Sequence, residues 1–291
     1  MSLPGLSSAS RVAVVGLPLE AGMHPLRTGS RLGPVAIRRQ SLLLGRYGLE
    51  SSVDIPAAAG LCDVGDVPVV QTDLAASMAA IERSVGALID AGIVPIGIGG
   101  DGTVTLPQLR AAARRHSDLV VIHVDAHTDA YPDPGYVGPT AFARAAEECL
   151  IDPARSFHVG MRGPVRAPGL LSYARELGYN LVLMRELRER GFTQVAEAIK
   201  QRVKDRPVYL CWDLDFIEPT AAAGVLTPVC DGAQPHEALA FLGALAGLNF
   251  VQFDINNMTP AYDIGDCTAL LGAHIVWTCA AIWGARRDIA A

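Results

Sequence analysis

Two short segments concentrate side chains able to do chemistry. VVIHVDAHTDAY closes an apolar run with Asp125, His127 and Asp129, and VYLCWDLDF closes another with Asp213 and Asp215. In extended chain a spacing of two puts side chains on one face, so each segment presents its polar groups together. A third run, GIGGDGT, ends at Asp101. One Asp in such a place can simply cap a turn, but two Asp-x-His/Asp clusters on separate strands point to a site. Carboxylates crowded together raise one another's pKa and destabilise the fold, and a bound divalent cation reverses that logic. The donor set is rich in oxygen, with one nitrogen and no thiolate. That favours Mn²⁺, with Zn²⁺, Fe²⁺ or Co²⁺ as alternatives.

Such clusters need a scaffold that gathers strand ends. The strand candidates are RVAVVG from Arg11, IVPIGIGG from Ile93, LVVIHVDAH from Leu119, SFHVGMR from Ser156, NLVLM from Asn180, PVYLCWDLD from Pro207 and FVQFDIN from Phe250. They are short, rich in Val and Ile, and continuously apolar, as strands covered on both faces are. Between them lie segments such as DLAASMAAIERSVGALIDAG, TAFARAAEECL, QVAEAIKQRVKD and PHEALAFLGALAG, with apolar residues three and four apart. The alternation predicts an α/β fold, a mostly parallel central sheet between two helical layers. Ligands in such sheets bind beyond the carboxyl ends of the strands. Gly/Pro-rich stretches at residues 23–34 and 131–139 are too short to divide domains. Residues 1–291 therefore read as one domain with an unstructured N-terminus over residues 1–10.

Half of the residues are hydrophobic and 24 basic against 30 acidic residues leave a net charge of −6. A general nucleic-acid surface needs the opposite balance. No apolar run reaches the length that spans a bilayer, and MSLPGLSSAS lacks a basic-then-apolar signal pattern. A cytoplasmic protein is expected. Cys62, Cys149, Cys211, Cys230, Cys267 and Cys279 are scattered without a CxxC pair, and read mostly as buried free thiols. GIGGDG has neither the G-x-G-x-x-G spacing nor a following P-loop lysine, which argues against a nucleotide site.

With these motifs in order along the chain, the sequence resembles the ureohydrolase (arginase/agmatinase) family. DAHTD and DLDFIEPTAAAGVLTP are similar to its two main metal motifs. GLPLEAGMHPLRTGSRLGPVAIRRQS, GDV from Gly65, GIGGDGTVTLP from Gly97 and HVGMRG from His158 resemble further agmatinase-type segments. The resemblance implies the three-layer α/β/α fold, a pair of Mn²⁺ ions that activate water, attack on a guanidinium carbon and release of urea. Carried onto this chain, Asp125 and Asp213 would bridge the metals, His127 and Asp215 would complete one site, and Asp129 would belong to the other. Asp129 and Asn257 would take catalytic places, and Gly138, Thr140 and Arg162 would meet the substrate. Assembly into homotrimers or hexamers is also implied.

Three positions depart from the pattern. The family's GGDH ends in a histidine ligand, where this chain has Gly102. Its His-Gly-Thr loop reads Gly138-Pro139-Thr140 here. In FDINNMTPAYD, aligned on Asp254, Pro260 and Asp263, Asn257 stands where the family has a substrate-pairing glutamate. His24 and Asp133, in loops at the expected mouth, are candidate substitutes for a missing ligand or proton carrier. His123, deeper on its strand, reads as core. Two functions follow. The first is a metal-dependent hydrolase with one or two ions, cleaving a C–N bond in a guanidino, amidino or amide molecule. The second is a catalytically impaired member acting as a binding or regulatory subunit, for instance with an active paralogue.

Overall fold

The computed structural model describes residues 5–21, 24–49 and 52–288. Eight strands form one sheet: β1 (Val12–Leu17), β2 (Leu61–Asp66), β3 (Val94–Gly99), β4 (Val120–Val124), β5 (Phe157–Met161), β6 (Asn180–Leu183), β7 (Pro207–Asp213) and β8 (Asn249–Asn256). Their order is β2-β1-β3-β8-β7-β4-β5-β6, and every pairing is parallel. Continuous apolar runs require cover on both faces, and β7 shows how it is supplied. Val208, Leu210 and Trp212 join one core with Ile37, Val195, Phe241 and Ile275 from helices on one side. Tyr209 and Cys211 join a second with Leu106, Leu109 and Phe142 on the other. The three-layer α/β/α fold expected from the sequence is the observed one.

Trp212 is fully buried and meets Phe216 and Phe241 with ring centroids 5.4 and 6.5 Å away. Burial of a large apolar side chain is worth roughly 1.5–3 kcal/mol, so this aromatic cluster anchors the strand whose next residue is Asp213. At the neighbouring strand end, Gly160 has φ +108°. A Cβ there would lie 2.8 Å from the Asp125 carbonyl and 2.5 Å from Phe216. Glycine lets β5 approach β4 closely beneath the acidic cluster.

Some expectations are corrected. β2 was not among the strand candidates: it is an edge strand with a half-exposed, acidic face, and lacks the apolar continuity that marks the others. Residues 23–34 are not all loop. Met23 lies outside the described residues, and a helix already begins at Gly33. Cys149, Cys230 and Cys267 are exposed, since they occupy a helix end, a loop and a helix start; Cys211 and Cys279 are buried. The helix Cys267–Asp288 contains a stretch, Cys267–Ala285, that is long and apolar enough to cross a membrane by length and composition. Thr, His and Gly interrupt its apolar run, and 61% of its most apolar window is buried in this fold, where it covers one sheet face. Residues 1–4 lie outside the described residues. Residues 5–10 carry local hydrogen bonds, and Ser10 is buried.

Candidate metal centre

β4 and β7 are neighbours with Val124 paired to Trp212, so their carboxyl ends deliver Asp125 and Asp213 side by side. Turns after each strand fold the second polar residue back. The Asp125 carboxylate accepts from the His127 backbone N–H at 2.6 Å. Asp213 does the same for Asp215 at 2.7 Å. His127 Nδ1 then lies 3.2 Å from both Asp125 Oδ1 and Asp215 Oδ2. Ligand atoms of Asp125, His127 and Asp215 fall within 4.8 Å of one another. Asp215 is held by the Ala126 N–H at 3.1 Å and the Thr227 hydroxyl at 2.8 Å. Hydrogen bonds of this kind fix the orientation of ligating carboxylates.

His123 is buried, as a core residue should be, yet it is tied to the site. Its Nε2 lies 2.8 Å from Asp125 Oδ2 and its Nδ1 lies 2.8 Å from His158 Nδ1. Where Nε2–H of His123 donates to Asp125, its Nδ1 is the acceptor for His158 Nδ1–H. This relay orients the carboxylate from below. Asp101 serves the scaffold instead: it caps a turn by accepting from Thr103 N at 3.0 Å and from Ala21 N at 2.7 Å.

The floor is strongly polarised. Burial, and then the charge of Asp125, push Asp129 up to about 7. Burial, followed by Asp215 and Asp125, raises Asp213 well above the carboxylate range. Burial works against a charge on His127, but Asp215 and Asp125 outweigh it and raise its pKa well above the ordinary value. The same contest favours the charged form at Asp125 too, where His123 and His127 hold the carboxyl well below its usual range despite burial. Asp129 and Asn257 also sit at positive φ, +45° and +66°, a left-handed conformation that Asp and Asn adopt more readily than other side chains.

Asp125, His127 and Asp215 fit a divalent cation, with Asp213 beside them at the end of the neighbouring strand, and His123, Asp125 and Asp129 form a second group whose ligand atoms lie within 4.8 Å of one another. The second position implied by the resemblance lacks its histidine donor. Gly102 offers no donor atom. A Cβ on it would stand 3.2 Å from Asp129 Oδ2 and 3.3 Å from the Gly138 Cα. The two glycines that replace histidines therefore face each other, and the Gly138 backbone, braced by the Thr103 hydroxyl at 3.2 Å, crowds the space a side chain at 102 would enter. Asn257 Nδ2 donates to Asp213 Oδ2, so that carboxylate oxygen already has a hydrogen-bond partner.

Above the floor opens a cleft of about 540 Å³, lined by His24, His127, Asp129, Asp133, Arg166, Asp213 and Asn257 and by apolar walls. His24 and Asp133 thus reach the cleft. His24 Nδ1 accepts from the backbone of Leu26 and Arg27 at 3.2 and 2.9 Å, which leaves Nε2 for the cleft. Burial and then Arg27 lower its pKa, favouring the neutral ring. Two residues expected to meet substrate are used otherwise. Arg162 gives its guanidinium to the carbonyls of Asp215, Val229 and Cys230 at 2.6–3.2 Å, a brace for the metal loop. The fully buried Thr140 hydroxyl bonds Val137 and Gly135 within its own turn. Gly138 is buried behind Val137 and Pro139, which line the cleft. Sequence reasoning missed Arg166 and Tyr131, which line the mouth without a spacing signal, and Thr227, whose hydroxyl lay unremarked inside a longer motif.

The comparisons agree with this architecture. The arginase family model matches residues 10–281, and the chain belongs to the arginase family. The mitochondrial agmatinase of Gallus gallus is 35% identical over 283 residues, covering 95% of this chain and 83% of its own. The proclavaminate amidinohydrolase of Streptomyces clavuligerus is 34% identical over 267 residues, covering 91% and 85%. The structure solved for proclavaminate amidinohydrolase from that organism matches with a TM-score of 0.91 over 95% of this chain and 93% of that one, at 33% identity. The ureohydrolase resemblance read from the motifs therefore holds.

Proposed function

We propose that the protein is a hydrolase of C–N bonds in small guanidino or amidino compounds, working with one divalent cation, Mn²⁺ by preference, held by Asp125, His127, Asp213 and Asp215. The observation that carries this reading is the oxygen-rich set of Asp125, His127 and Asp215, with ligand atoms within 4.8 Å of one another, beside a cleft that His127 and Asp213 line. Relatives named for agmatine and proclavaminate chemistry support the substrate class. A cation so held supplies Lewis acidity, making a hydroxide nucleophile available near neutral pH.

The chain's own groups do the rest. Asn257 lines the floor with its Oδ1 buried and unpartnered, and a turn of its amide would bring that oxygen to accept an N–H from a planar amidinium or guanidinium group. Asn257 thereby orients the carbon under attack but does not neutralise the substrate's charge. Asp129 supplies the negative charge that holds the cationic head. His24 Nε2–H stands at the cleft wall as a hydrogen-bond donor to the departing amine, since Nδ1 is occupied as an acceptor of backbone N–H bonds. Val137, Pro139, Pro164, Val165 and Leu226 keep bulk water from the reacting carbon.

The test is a turnover panel of guanidino, amidino and amide compounds with manganese-loaded protein, following urea and ammonia. Cleavage of a guanidine or amidine is expected. His24→Ala should lower kcat about tenfold, the scale of one lost hydrogen bond to the departing amine, with a smaller change in KM. Absence of cleavage across the panel in metal-loaded protein overturns the reading.

A further inference from the structure

Arg166 is the only arginine or lysine lining the cleft among the described residues. It sits in the loop after β5, pairs with Asp133, and lies over the Tyr131 ring with its guanidinium carbon 5.1 Å from the centroid. Its side chain is 54% exposed and that of Asp133 38%, so the pair stands at the mouth. The floor carries carboxylates, Asp129 and Asp213, and the walls between floor and mouth are Val137, Pro139, Pro164, Val165 and Leu226. Among the described residues, the cleft's one cationic side chain from Arg or Lys, paired with Asp133, thus stands at the mouth, apart from the carboxylates of Asp129 and Asp213.

We infer that Arg166 selects substrates with a carboxylate tail: a guanidino or amidino acid, cationic head on the floor and anionic end at the mouth. This rests on the function proposed above and names its substrate class. The exchange is easy to make. An exposed ion pair contributes little stability, so a ligand carboxylate takes the place of Asp133 on the planar guanidinium, where bidentate geometry is available. Tyr131 keeps the guanidinium plane in place during the exchange. An ammonium tail has no such exchange. It must draw Asp133 away from Arg166 and then lie beside an unpaired guanidinium.

The experiment compares 4-guanidinobutanoate with agmatine, which differ in replacing the terminal carboxylate by an aminomethyl group. Both are measured on full-length, manganese-loaded protein, as Kd by calorimetry and, where cleavage occurs, as kcat/KM. The acid should be preferred by at least roughly tenfold, the scale of one charge-assisted contact. Arg166→Gln should erase the preference and Arg166→Glu should invert it, with Tm and metal content unchanged. An amine bound as well as the acid, a preference that survives Arg166→Gln, or binding of neither compound overturns the inference. Arg166-dependent binding of the acid without cleavage overturns the proposed function alone. Cleavage without tail preference overturns only the role of Arg166.

Discussion

Asp213→Asn will lower kcat/KM by about a thousandfold, ~4 kcal/mol of transition-state stabilisation, while leaving the metal-free protein more stable than the parent. Both halves follow from the same geometry. Asp213 ends β7 facing the cleft, and under the proposed function its carboxylate would be one of the four groups that hold the cation. An amide is a poor substitute ligand, so metal affinity and activity fall together. In the metal-free protein, however, that carboxylate is an electrostatic burden, held well above its normal pKa first by burial and then by Asp215 and Asp125. Removing the titratable group relieves the crowding. The replacement is nearly isosteric, and its Oδ1 still accepts from the Asp215 N–H. Asn257 can turn its amide over and offer the unpartnered Oδ1 to the new Nδ2. Metal-free Tm and kcat/KM measured on the same preparations decide the matter. A variant that loses activity because it unfolds would show a lower metal-free Tm, and that result contradicts the assignment.

The second large effect is a stability that falls with rising pH when metal is absent. Asp129 has a folded pKa of about 7, above the ordinary carboxylate value. The folded state thus keeps a proton that the unfolded chain has already released. Stability from this group is complete below the ordinary carboxylate range and is lost as pH rises through 7. His127 is raised above the ordinary imidazole value by Asp215 and Asp125 against its own burial. Its contribution is complete below the unfolded pKa and is also lost as pH rises. Asp125 is shifted the other way, and its contribution is lost only on acidification below the ordinary carboxylate range. Between pH 5.5 and 8 the metal-free protein should lose at least ~2 kcal/mol, or roughly 4 °C in Tm for a chain this long. Divalent cation reverses the trend, because ligands must shed their protons to bind it, so stabilisation by Mn²⁺ should be small at pH 5.5 and large at pH 8. Thermal melts with chelator or with excess Mn²⁺ measure both curves. A metal-free Tm that rises across this window would contradict the polarised floor.

Much of this was legible in the sequence because the signals were local. Asp125, His127 and Asp129, and then Asp213 and Asp215, announced themselves by spacing at the ends of apolar runs, and the parallel sheet followed from strands covered on both faces. What escaped depended on partners distant in the chain. His123 was read as core from its depth on the strand; that its ring joins His158 to Asp125 depends on the β4–β5 register, which one strand's sequence does not carry. Arg162 was assigned to substrate because HVGMRG resembles an agmatinase-type segment, yet three carbonyls from the 215–230 region accept from its guanidinium. β2 lacked the apolar run that marks buried strands, because an edge strand does not need one. The gap at Gly102 was visible as a missing side chain, but only the fold shows that the Gly138 backbone crowds the space beside it.

Most directly at stake is the number of cations held by the wild-type chain. Protein expressed in manganese-supplemented medium, then desalted, should contain about one divalent metal per chain by elemental analysis, and Asp213→Asn should contain almost none. About two metals per chain would contradict the single-cation centre, and would mean that a second set of donors, such as His123 with Asp125 and Asp129, is occupied. No bound metal, even after incubation with excess Mn²⁺ or Zn²⁺, would contradict the hydrolase altogether.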